Sequence, residues 1–125
     1  MDSGDSLSPS TNPMRNRAEA QLSAALRQYL EAAKPRCVWC AIPNASRRNI
    51  IVGTNLKRQG MVAGAADWVF TWESGAGWIE LKTDKGRVSL NQLGFQEWCK
   101  RIGVRYEVAR SLEDCINVLK SWERL

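Results

Sequence analysis

The sequence contains no histidine. That absence excludes nucleophilic triads built on an imidazole base, zinc hydrolases with histidine ligands, and nucleases that use a histidine base. Any acid–base or metal chemistry must rest on carboxylates, lysines or cysteines. No apolar run approaches the length needed to cross a bilayer, and no secretory hydrophobic segment follows Met1. The expectation is a soluble, intracellular, cytoplasmic protein with no membrane partner. In that compartment the four cysteines, Cys37, Cys40, Cys99 and Cys115, read as reduced thiols. Phe and Tyr are scarce, at two each, but six tryptophans in 125 residues argue for a substantial aromatic core.

The length suits one domain, and 44% hydrophobic with 25% charged residues is an ordinary globular balance. The net charge of +5 and pI near 9.3 favour an anionic partner, with nucleic acid the first candidate.

Residues 1–14 read as a flexible tail of Ser, Asp, Pro and Gly, and residues 15–125 as a single domain. A first helix is expected over Arg15–Ala33, because Leu22, Ala25, Leu26, Tyr29, Leu30 and Ala33 recur at i, i+3, i+4. Extended backwards, that stripe reaches Glu19. Glu19 is either a first-turn acid favoured by the helix dipole or a carboxylate aimed at a buried polar site. Pro35 stops the helix. Arg36–Ile42 reads as a buried strand, on which Cys37 and Cys40 point to opposite faces. Ser46–Gln59, with Arg47, Arg48, Lys57 and Arg58, reads as a turn and a short helix ending at Gly60. After Lys82, a turn carries Lys85 and Arg87. Ser89 and Gln92 form a capping box that opens a helix to about Ile102, with Phe95, Trp98, Cys99 and Ile102 as its buried stripe. Gly103 closes it, Arg105–Ala109 forms a strand, and Ser111 caps a last helix. The order predicts an α/β fold with a mixed four-stranded sheet flanked by helices.

Between these elements, Gly64–Lys82 holds two aromatic and β-branched runs around a Gly-rich turn, the pattern of a β-hairpin. It carries Asp67, Glu80 and Lys82 where strands usually place apolar groups. The period of two puts Trp78, Glu80 and Lys82 on one face. Asp67 reaches that face only if it opposes Glu80 or Lys82. That register makes Trp68, Phe70, Ile79 and Leu81 share the core-facing side. Magnesium and manganese take oxygen ligands and often need only one or two carboxylates beside water and phosphate. Asp67 and Glu80 would supply these. Lys82 would hold the attacking water or stabilise charge on the phosphate, and Glu19 would orient a ligand water. The alternative is structural: Asp67 caps a turn, Glu80 pairs with Lys82 on a solvated face, and the capping box alone accounts for Gln92.

The ordered set resembles the PD-(D/E)xK nucleases, and within them a stand-alone VRR-NUC domain. It comprises Glu19, the strand exit at Pro43-Asn44, Lys57 through Gly60-Met61, Gly64-Ala65-Ala66-Asp67, Glu80-Leu81-Lys82, Ser89 with Gln92, and Gly103 to Val108. The family usually has proline before the catalytic Asp, where this chain has Ala66. The resemblance implies a restriction-endonuclease-like core and divalent-metal-dependent hydrolysis of DNA phosphodiesters. Asp67, Glu80 and the Leu81 backbone carbonyl would be metal ligands, Lys82 would assist the water, and Glu19 and Gln92 would support the site. It further implies a likeness to Holliday junction resolvases, a homodimer cutting branched DNA, and a prokaryotic or phage-infected host cell. Two other readings stand beside it. One is a non-catalytic module that contacts phosphates through Arg47, Arg48, Lys57, Lys85 and Arg87. The other is a thiol redox protein using Cys37 and Cys40. Trp72 is the exposed candidate for a dimer contact.

Overall fold

Pro13 opens the first helix, where a missing N–H costs nothing, and α1 runs Pro13–Ala33. It starts two residues before the expected Arg15. The computed structural model describes residues 13–43, 58–83 and 85–125. The tail before Pro13 and most of the basic connector, including Arg47, Arg48 and Lys57, lie outside the described residues. Of the helix expected to end at Gly60, the described part is its last stretch, and Gly60 has φ +103°.

Among the described residues, seven elements follow the expected order: α1, β1 (Val38–Ala41), β2 (Trp68–Trp72), β3 (Gly75–Leu81), α2 (Leu90–Ile102), β4 (Arg105–Ala109) and α3 (Leu112–Ser121). The strands form one sheet in sequence order. β1–β2 and β2–β3 are antiparallel and β3–β4 is parallel, so the sheet is mixed. The hairpin has the predicted register, with Trp68 opposite Ile79 and Val69 opposite Trp78. The glycines expected in its turn lie in the strand instead: only Glu73 and Ser74 lie outside the strands, and Gly75, Ala76 and Gly77 belong to β3. Gly77 is there because the Trp122 ring lies on it, and a Cβ would overlap that ring.

The period of two sorts the sheet's side chains into two layers. Trp68, Phe70, Ile79, Leu81 and Ala109 meet Leu26 and Leu30 of α1 and Cys115, Leu119 and Trp122 from α3 and its end. On the other face, Phe95 and Cys99 of α2 pack with Ala66, and Trp78, Val104 and Tyr106 close around them. Trp98 and Ile102, expected in that stripe, are instead 46% and 64% exposed. Phe95 and Cys99 lie one turn apart and fill the contact alone, which leaves their i+3 neighbours on the flank. Trp72 also departs from expectation. It is half-buried against Trp122, with the guanidinium groups of Arg105 and Arg124 over its ring at 5.2 and 4.8 Å. It is a core-edge residue, not an open contact surface.

Cys37 packs against the core and Cys40 is exposed, so the two thiols point apart as their spacing requires. All four cysteines are free. Burial raises the Cys37 thiol above its ordinary pKa, with Arg124 opposing. A raised thiol holds less thiolate, which counts against the redox reading.

Candidate active site

Asp67 stands just before β2, and its position is set by a loop pressed against a helix. Gly64 has φ +85°, and a Cβ there would overlap the Asn91 carbonyl. The loop therefore lies on the first turn of α2, and no larger residue fits. Ala66 follows, fully buried beside Phe95 and Cys99. Asp67 continues the strand ladder, with its carbonyl accepting from the Ile42 N–H at 2.7 Å. Its Oδ2 accepts from the Leu81 N–H at 2.8 Å. This bond crosses the hairpin, so Asp67 is not a local turn cap. Continuing the β2–β3 register places Asp67 opposite Glu80.

Glu80 and Lys82 come from the end of β3. Lys82 extends the parallel ladder one step, donating its N–H to the Ala109 carbonyl at 3.0 Å. That extension keeps its side chain on the face of Glu80. Each residue is 2% exposed, and Lys82 Nζ lies 3.6 Å from Glu80 Oε2. The solvated surface pair considered from sequence is therefore excluded. The turn after Lys82 covers its stem: Gly86 lies over Lys82, and Arg110 donates to the carbonyls of Thr83 and Gly86 at 2.7 and 2.8 Å.

Gln92 has both roles that the sequence offered as alternatives. Its Oε1 accepts from the Ser89 N–H at 2.9 Å, completing the capping box. Its Nε2 donates to Glu80 Oε2 at 2.7 Å. The two ends of one amide thus lock the start of α2 to the carboxylate. Burial, then the neighbouring Asp67 carboxylate, push the Glu80 carboxyl up to about 9, with Lys82 opposing.

Glu19 reaches the site along a different route. The Leu26 and Leu30 stripe of α1 packs on the opposite sheet layer from Glu80. Glu19 lies beyond that contact, near the helix N-terminus, and faces the end of the sheet. A cleft of about 430 Å³ opens there, lined by Glu19, Asp67, Glu80, Leu81, Lys82 and Gln92. Ala20, Ser23, Ala24, Arg27, Ala41, Ile42 and Trp68 complete its wall. The five side chains expected at a reaction centre, from α1, the β2 approach, β3 and α2, thus share one cavity. Lys85 and Arg87 do not line it; both are exposed on the turn beyond Lys82.

The donor set fits a hard divalent cation. Glu80 Oε1 is buried with no hydrogen-bond partner among the described residues. A buried carboxyl oxygen of this kind is satisfied by the proton that Glu80 holds beside Asp67, or by a cation or water in that proton's place. The Leu81 N–H points towards Asp67, and in a strand the carbonyl of the same residue points the same way. Among the described residues, no three His, Cys, Asp or Glu side chains group as metal ligands. A metal would therefore rest on Asp67, Glu80, the Leu81 carbonyl and water, which is enough for Mg²⁺.

Two residues near the site carried no functional signal in the sequence reading. Arg27 lines the cleft, and its position eight residues after Glu19 places it on the same helix face. Tyr106 lies opposite Trp78 in β4, on the layer of Glu80. Its hydroxyl is buried with no hydrogen-bond partner among the described residues. Burial and the negative charges of Glu80 and Asp67 raise its pKa, so it stays a protonated donor.

No family model matches the chain, and no curated protein matches it. The chain is similar to a solved structure described as a VRR_NUC domain protein. The TM-score is 0.64 at 18% sequence identity, over 82% of this chain and 84% of that one. At that identity the likeness concerns the path of the backbone alone: this chain has a VRR-NUC-like α/β fold, a mixed four-stranded sheet flanked by helices.

Proposed function

We propose that this protein is a Mg²⁺- or Mn²⁺-dependent DNA endonuclease that hydrolyses phosphodiester bonds. The observation that carries this reading is the convergence of Asp67, Glu80, Lys82, Glu19 and Gln92 on one cleft, with Glu80 and Lys82 buried at its floor. A solved VRR_NUC domain protein of the same fold supports it.

Asp67, Glu80 and the Leu81 carbonyl would hold the metal, which when bound would lower the pKa of water and polarise the scissile phosphate. Lys82 positions the attacking water and offsets charge that develops on the phosphate oxygens. Its burial strengthens that interaction, because little water screens it. Gln92 fixes the orientation of Glu80, and Glu19 orients water from the opposite wall. Water adds to phosphorus, the P–O bond to the leaving sugar oxygen breaks, and the products are a phosphate monoester and a free hydroxyl. The resemblance to junction resolvases extends the proposal to branched DNA such as four-way junctions, cut by a homodimer.

The test incubates the protein with four-way junction, duplex and single-stranded DNA in Mg²⁺ or Mn²⁺, then with EDTA. Metal-dependent cleavage, fastest on the junction, is expected. Lys82→Met should slow it by about 10²–10³-fold while the chain stays folded. Binding without metal-dependent cleavage would establish the non-catalytic reading instead. A Lys82→Met protein that cuts at the wild-type rate would remove this mechanism.

A further inference from the structure

The α1 wall of the cleft is built from two kinds of residue. Ala20, Ser23 and Ala24 are small and open the wall, whereas Glu19 and Arg27 bound it. The spacing i, i+1, i+4, i+5, i+8 places all five on one helix face, beside the buried stripe of Leu26 and Leu30. From Glu19 to Arg27 the helix rises about 12 Å. A wall of that length is enough for the scissile phosphate, one intervening sugar and phosphate, and a flanking phosphate of the same strand.

Charge is distributed unevenly along that wall. Three carboxylates, Glu19, Asp67 and Glu80, face the cleft at one end with buried Lys82 among them. The other end has Arg27. Its side chain is 49% exposed, and the guanidinium pairs with Glu31 at 2.7 Å, one turn on. Glu31 is itself 55% exposed and does not line the cleft. Exposed pairs of this kind contribute little stability. A guanidinium held so weakly can turn to a phosphate, for which its planar fork is suited.

We infer that the α1 face forms a groove for one nucleic-acid strand, in which Arg27 leaves Glu31 to bind a phosphate flanking the scissile one. This rests on the nuclease reading and adds to it a subsite and a strand path. Arg27 touches no reacting atom. It binds the substrate away from the cut, and the small side chains between it and the acids leave room for the intervening sugar and phosphate.

Single-turnover cleavage in Mg²⁺ tests the idea, using strands with one neutral methylphosphonate at each of the four positions on either side of the cut. The wild type should slow about tenfold when one particular flanking phosphate is neutralised, the loss of one charge-assisted hydrogen bond. Arg27→Gln should cut the unmodified strand about tenfold more slowly and be indifferent to the neutral linkage at that position only. Binding of the unmodified strand in EDTA gives a second readout. There Arg27→Gln should lower the salt slope of log K by about 0.7–0.9. Glu31→Gln, which removes the competing acid, should tighten binding. If the wild type cuts, but Arg27→Gln and the methylphosphonate effects add at every position, Arg27 has no phosphate and this inference falls while the nuclease reading stands. A wild type that neither binds nor cuts any strand overturns both.

Discussion

Glu80 illustrates how a single side chain ties folding to acidity. Its carboxyl is raised from an ordinary value of 4.5 to about 9, by burial first and by Asp67 second. The folded chain therefore holds a proton there that the unfolded chain releases near the ordinary value. The associated stability is fully present below about pH 4.5 and is lost as pH rises towards about 9. In EDTA, the melting temperature should decline across that window, and Glu80→Gln should flatten the decline. An identical pH profile for the variant would refute the assignment. Metal affinity should move the other way and rise with pH, because the cation must displace the same proton. Gln92 gives a second residue-scale prediction. Gln92→Glu keeps an acceptor for the Ser89 N–H but removes the Nε2 donor to Glu80 Oε2 and places another negative charge in the buried acidic site. Chemical denaturation should find it less stable than Gln92→Ala, although Gln92→Ala loses the capping box outright; the opposite order would show that the cap, not the Glu80 contact, dominates. Asp67, Glu80 and Lys82 were legible in the sequence because a strand's period of two is strict, and charges on it have few places to go. Gln92 was half legible: its cap role supplied a sufficient reason, which hid the bond to Glu80. Arg27 was hidden in the same way, since an i, i+4 partner in Glu31 already explains an arginine on a helix. Tyr106 gave no signal beyond an ordinary strand residue.

At the scale of elements, hydrophobic periodicity and caps placed the seven helices and strands of the described residues in order. Ser89 and Gly103 bound α2 as expected, and Ser111 caps α3. The errors arose where one element meets another. Trp98 and Ile102 are apolar at helical spacing, yet a sheet this narrow covers only the Phe95 and Cys99 line of α2. The hairpin reads as two runs around a Gly-rich turn, but one of those glycines lies in β3 and serves a contact from the far end of the chain. Nothing local to Gly77 announces Trp122. Gly77→Ala should therefore destabilise the protein by about 1–3 kcal/mol, as overpacking in cores does, measured by urea unfolding. Gly64→Ala combines the same crowding with a positive φ and should be at least as damaging. Because Gly64 sits between the Asp67 loop and α2, residual folded Gly64→Ala protein should also bind Mg²⁺ more weakly. If Gly77→Ala unfolds like the wild type, the Trp122 ring is not packed on Gly77.

For the whole molecule, the proposed homodimer needs a surface, and Trp72 is no longer available for it. The exposed apolar ridge of α2, running through Leu90, Trp98 and Ile102, is the open alternative. If the chain pairs through that ridge, Trp98→Glu should sediment as a monomer and Trp72→Phe should not. Dimeric Trp98→Glu would place the interface elsewhere. The two ends of the sheet are also differently built. At the hairpin turn, Trp72 is held between Arg105 and Arg124, and Arg36 and Arg124 exchange bonds with the carbonyls of Glu123 and Arg36. At the other end the layers part and the cleft opens. Trp68 stands at that opening, its Nε1 donating to Ser23 Oγ at 3.1 Å. An indole in the wall of an acidic cavity responds to the local electric field. The protein thus carries its own optical gauge: titrating Mg²⁺ or an oligonucleotide into it should shift tryptophan emission, and Trp68→Phe should silence that shift with the other five indoles still in place.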